Sequence, residues 1–131
     1  MTLSLEVPSL ELCQRMKELG YPQDGSLFYW SVLKRRGEPA SIIHFGYKGH
    51  GTHNKTRTLY AAPTVGELLE KTIKDSNVVW NIFYNISNGL WLIYETGILG
   101  YCTGKDLDFV DKSLSNALSK MWIHLKEQGL I

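Results

Sequence analysis

The Asn88-Gly89 dipeptide constrains this chain more than any other feature. It lies between two runs rich in branched and aromatic residues, 77–87 and 90–96. Asn and Gly both tolerate positive φ, so the pair favours the two-residue type I′ turn that matches the twist of antiparallel strands. A hairpin is expected, and such a turn sets its register. Ser87 then faces Leu90, Ile86 faces Trp91, Tyr84 faces Ile93 and Ile82 faces Glu95. One face carries Trp80, Ile82, Tyr84, Ile86, Trp91 and Ile93 and is assigned to the core. The other carries Val79, Asn81, Phe83, Asn85, Leu90, Leu92 and Tyr94. This second face is too apolar for open solvent and too polar for a dry core, which implies cover by a helix or use in an interface.

The remaining elements follow from periodicity and stop signals. Ser9 caps a first helix whose stripe is Leu12, Cys13, Met16 and Leu19, and Gly20 ends it. Residues 27–33 and 41–47 read as two strands of a first hairpin, broken by the charged, Gly- and Pro-containing 34–39. A short strand over 58–62 stops at Pro63. Thr64 and Glu67 have capping-box spacing, which starts a helix over 65–75. That helix puts Val65, Leu68, Leu69, Thr72 and Ile73 on one face, and Gly66 is its weak point. Residues 98–103 fit a short further strand. A last helix is expected to start near Asp106 or Asp108, with Val110, Leu114, Ala117, Leu118, Met121, Trp122 and Leu125 as its stripe. Gly129 closes it and Leu130 is expected to pack back on Leu125. The order is α-β-β-β-α-β-β-α. The chain is therefore expected to be a single globular α+β domain over 1–131, with an antiparallel or mixed sheet of about five strands (two hairpins plus a central strand) packed with three helices.

Several function classes are disfavoured. With a net charge of +1 the chain is no polycation, and the mixed hairpin face interleaves no Lys or Arg with its aromatics, so polymeric nucleic acid is not expected. No run approaches the roughly 18 apolar residues of a membrane span. The first residues show no leader pattern, and Cys13 and Cys102 read as free thiols, which points to the cytoplasm. Searches for nucleophile-elbow, phosphate-loop, dinucleotide-loop and zinc-protease motifs find none. His50-Gly51-Thr52 matches half of a two-histidine phosphodiesterase motif, but His124 lacks the second half. Trp30, Trp80, Trp91 and Trp122 lie on expected core elements.

One stretch suits a ligand. Residues 48–57 hold two glycines, two histidines and three cations with no apolar side chain, hence an exposed loop. Its Lys48, His50, His53, Lys55 and Arg57, with His44 at the preceding strand end, form a candidate anion site. Glycines admit close backbone approach and cations favour phosphate or carboxylate. A metal needs three or four convergent ligands, and His50-x-x-His53 supplies two, so no metal or cofactor is expected.

Three stretches resemble small uncharacterised proteins encoded by bacteriophages and prophages. They are Leu12-Cys13-Gln14 with Lys17-Glu18-Leu19-Gly20-Tyr21-Pro22-Gln23; Ala62-Pro63-Thr64 with Glu67-Leu68-Leu69; and Ala117-Leu118, Met121-Trp122-Ile123 and Leu125-Lys126 with Gly129-Leu130-Ile131. The resemblance implies a phage accessory protein in a bacterial host cytoplasm and brings no activity or catalytic residue. The leading expectation is a non-enzymatic protein that binds a host component, in its concrete form a small anionic, nucleotide-like ligand at the 48–57 loop. The alternative is a protein–protein or homo-oligomeric module, a homodimer among its forms, using the hairpin face over 79–94 through Phe83, Leu90, Leu92 and Tyr94. An enzyme ranks third.

Overall fold

A computed structural model describes residues 7–33, 39–44, 57–73, 79–96, 108–129 and 131. In chain order the elements are α1 (Leu10–Glu18), β1 (Phe28–Leu33), β2 (Ser41–His44), β3 (Arg57–Ala61), α2 (Val65–Ile73), β4 (Val79–Asn85), β5 (Leu90–Thr96), β6 (Asp108–Asp111) and α3 (Leu114–Glu127). The class is α+β, as expected. The strands, however, form two three-stranded antiparallel sheets rather than one sheet of five. Sheet A has the order β2-β1-β3 and sheet B the order β4-β5-β6.

The sixth strand occupies the place assigned to the start of the last helix. Asp111 decides the boundary. Its Oδ1 accepts the Ser113 N–H at 2.9 Å and the Asn116 side-chain amide at 3.3 Å. Ser113 is the true N-cap, its Oγ accepting the Asn116 N–H at 3.3 Å. The acidic residue thus braces the cap from outside the helix, and Val110 belongs to a strand. The expected strand at 98–103 with Cys102, and Leu130, lie outside the described residues.

The hairpin keeps its faces and changes its register. Tyr84 pairs with Trp91, Ile82 with Ile93 and Asn85 with Leu90. The loop therefore has four residues, 86–89, instead of two. Asn85 causes this by starting a turn of its own, as Asn side chains do when they bond the backbone two residues on. Its Oδ1 accepts the Ser87 N–H at 3.0 Å and the Ser87 hydroxyl at 2.6 Å. The Asn85 carbonyl accepts the Gly89 N–H at 2.8 Å, and Gly89 has φ +70°. The displacement is two residues. An even shift leaves every side chain on its assigned face, whereas a one-residue slip would have exchanged them.

The core gathers on α3. Ala117, Leu118, Met121, Trp122 and Leu125 are buried on its stripe. They meet Cys13 and Met16 of α1, Leu68 of α2, Tyr29 of β1, Ala61 of β3 and Ile93 of β5. Ser115 and Ser119 are also fully buried, and each is hydrogen-bonded: Ser115 Oγ to Ser113 Oγ, and Ser119 Oγ to the Ser115 carbonyl, both at 2.8 Å. Tyr21 stands edge-on to Trp122, ring centroids 5.1 Å apart. Helix α1 ends as expected. Gly20 at φ +95° donates to the Lys17 carbonyl, and Tyr21 N–H reaches the Met16 carbonyl at 2.8 Å, the two bonds of a Schellman ending.

The capping box of α2 is half formed. Thr64 Oγ1 accepts the Glu67 N–H at 3.3 Å. The Glu67 carboxylate does not return to Thr64. It accepts from Ser26 Oγ at 3.1 Å and from the Leu27 N–H at 3.0 Å. Two donors at the entry to β1 replace the single one a local box offers, and the helix start becomes tied to sheet A.

Gly66 is exposed in the first turn of α2, and a Cβ there would approach only Thr64 Oγ1, at 4.0 Å. Gly66→Ala is expected to raise stability by about 0.5–1 kcal/mol through lower unfolded-state entropy. Urea unfolding checks it, and an unchanged or lower midpoint would count against the helix placement.

Candidate functional site

The first candidate site is the cationic, histidine-bearing segment. Its two described ends do not converge. His44 ends β2 opposite Phe28, and Arg57 opens β3 opposite Leu33. Five residue steps along β1 separate those positions, about 17 Å at strand rise, and β1 lies between the two strands. Strands β2 and β3 both pair antiparallel with β1 and so run in the same direction. The backbones of His44 and Arg57 therefore stand toward opposite ends of sheet A. Lys48, His50, His53 and Lys55 lie outside the described residues.

Among the described residues, Cys13, His124 and Glu67 are buried or engaged. Cys13 is fully buried with its Sγ 3.6 Å from the Pro8 carbonyl, and burial pushes its thiol up to about 12, so it is no nucleophile. His124 stands against Phe109, ring centroids 5.8 Å apart. A hollow of about 260 Å³ is lined by Tyr21, Asp24, Ser26, Glu67 and Lys71 among others. Burial, then the nearby Glu67 charge, raises the Tyr21 hydroxyl, and Glu67 is committed to Ser26 and Leu27. Among the described residues there is no group of three or more His, Cys, Asp or Glu that could hold a metal.

Sheet B is different. Its inner face is set by Ile93, which is fully buried, and by Phe109 directly opposite, which touches His124 of α3. Helix α3 packs on β5 and β6. Strand β4 lies one strand spacing, about 4.8 Å, farther out, and the helix does not cover it. Ile82 is 38% exposed, Phe83 54%, Tyr84 47% and Ile86 88%, and Val110 on β6 is 40% exposed. The assignment of Ile82, Tyr84 and Ile86 to the core is thus corrected: their parity is right, but α3 is too narrow to cover a third strand. The Tyr84 and Trp91 rings pack across the strands at 4.9 Å.

The outer face holds the expected interface residues. Phe83 pairs with Leu92 and Leu92 with Val110, so an apolar row crosses all three strands. Phe83 is exposed, while Leu90, Leu92 and Tyr94 are half-buried. Val110 was missed as a member because it was placed on a helix. The aromatic and β-branched pair Phe109-Val110 carries what strand signal there is, a composition signal without alternation.

The junction of sheet B with α3 is electrostatic. Lys120 Nζ lies 2.9 Å from Asp111 Oδ2 and 3.2 Å from the Val110 carbonyl. Burial would raise the Asp111 carboxyl. The Ser113 N–H, Lys120 and Asn116 outweigh it and hold the group below the usual carboxylate value.

Compared with known proteins, the chain matches no family model, no curated protein and no solved structure. Among the described residues no helix is long and apolar enough to cross a membrane.

The lowered carboxyl fixes the sign of a pH effect. A depressed folded-state value gives stability that is present above the unfolded carboxylate value and is lost as pH falls through the folded one. Wild-type stability is therefore expected to decline below about pH 4. Asp111→Asn should lower stability at pH 7 and flatten that acid limb. Equal acid slopes in urea titrations of the two proteins would remove Asp111 from the account.

Proposed function

We propose that this chain is a non-enzymatic protein-binding module whose contact surface is sheet B. The observation that carries the reading is where the exposed apolar side chains lie. Among the described residues six large hydrophobics stand exposed: Ile82, Phe83 and Tyr84 on β4, Ile86 in its turn, Val110 on β6, and Leu27 elsewhere. Single exposed apolar residues need no explanation, whereas a cluster about one edge strand, Ile82 and Tyr84 on one face and Phe83 with Val110 on the other, marks an interaction surface. Covering a side chain of this size is worth about 1.5–3 kcal/mol, enough for a few of them to anchor a partner. The neighbouring Asn81, Asn85 and Asn88 supply a polar rim to such a surface. The anion-binding alternative rests on the 48–57 loop with His44, of which the described residues include only His44 and Arg57, toward opposite ends of sheet A.

Side chains kept for a partner contribute little to the fold of the monomer. Phe83→Ser and Ile86→Ser are each expected to stay within about 0.5 kcal/mol of wild type. Removing a packed Phe side chain instead costs about 3–5 kcal/mol. Urea unfolding at low protein concentration, where association adds nothing, makes the comparison. A core-sized loss in either variant would mean that the residues are packed within the chain and would sink the reading.

A further inference from the structure

The edges of the two sheets are treated unequally. On β3, the outward Leu59 carbonyl accepts from Lys17 Nζ at 3.2 Å, and the Ala61 N–H donates to Gln23 Oε1 at 2.9 Å. Both groups are thereby closed to another strand. On β6, Lys120 covers the Val110 carbonyl at 3.2 Å, and an aspartate stands at each end of the strand. Strand β2 has four residues, a short edge. These are the devices by which sheet proteins prevent edge-to-edge pairing: side-chain cover, charge and brevity.

Strand β4 has none of them among the described residues. It is an edge of seven residues, Val-Trp-Asn-Ile-Phe-Tyr-Asn, without a charge, a proline or a glycine. No side chain among the described residues bonds its outer backbone groups. We infer that β4 pairs with β4 of a second copy of this chain, antiparallel, about a twofold axis at Ile82. This names the partner for the surface proposed above and rests on that reading.

The sequence of β4 suits a twofold axis. With Ile82 opposite Ile82, Asn81 faces Phe83, Trp80 faces Tyr84 and Val79 faces Asn85. No charge meets its like, and an aromatic residue stands opposite an aromatic residue. The chain's net charge of +1 adds little repulsion between copies. The same chemistry explains why assembly stops at two. Pairing produces the strand order β6-β5-β4-β4-β5-β6, and both outer edges are then the guarded β6. A twofold contact uses one patch on each copy and closes, whereas a head-to-tail contact would propagate.

Light scattering and amide hydrogen exchange over about a hundred-fold range of concentration test the inference, because association follows mass action. The wild-type mass is expected to rise toward twice the 14.9 kDa of the chain, with amides of 79–85 slowing in step. Ile82→Lys and Ile82→Glu should each remain at single-chain mass, since like charges meet on the axis. An equimolar mixture should regain the doubled mass, a result that requires position 82 to face itself. A wild-type chain of single mass at every concentration overturns the inference, while the sheet B reading stands or falls on its unfolding data. A dimer whose 79–85 amides do not slow overturns the β4 contact, and this holds even if the Ile82 variants fail to fold. A mixture that does not recombine overturns the axis.

Discussion

The fold depends on the buried stripe of α3. Two small antiparallel sheets, each of three strands, need an apolar layer against which to bury their inner faces. Helix α3 gives them a common core. It reaches sheet B directly through β5 and β6, and it reaches sheet A through α1, which packs on β3. Met121, Leu118 and Leu125 supply the apolar volume. Ser115, Ala117 and Ser119 supply the opposite, small side chains that let neighbouring elements come near. The buried hydroxyls cost little because each bonds within the helix or its cap.

A second layer of the design consists of polar side chains that reach between elements. Glu67 leaves its local box to hold the entry to β1. Asn116 Oδ1 accepts the Ser9 N–H at 2.8 Å and so joins the starts of α1 and α3. Lys17, Gln23 and Lys120 finish strand edges. Such bonds to otherwise open backbone groups matter more than the exposed Arg15–Glu18 and Arg15–Glu127 pairs, because water screens the latter. The same logic gives β4 its meaning. Where the edges of β3 and β6 are finished by side chains, the outer backbone groups of β4 bond no side chain among the described residues.

Much of the local structure was legible in the residues. The Ser9 cap, the Gly20 ending, the Thr64 cap and the stripes of all three helices follow from bonds within a few residues and from a repeat of 3.6, which the chain carries in itself. The parity of the hairpin was legible for the same reason, since alternation has a period of two. The interface candidate Phe83 could be placed on its face by that parity alone.

What only the tertiary structure decided depended on distant partners. Glu67 looked like half of a box because Ser26 and Leu27 are forty residues away. Asp108 looked like a helix start because the β5 strand that pairs with it is not its neighbour in the chain. The division into two sheets, and the distance between His44 and Arg57, follow from β1 lying between β2 and β3, a pairing choice no local pattern encodes. Exposure of β4 is a matter of helix width: alternation tells which way Ile82 and Tyr84 face, but only the placement of α3 over β5 and β6 leaves them partly exposed.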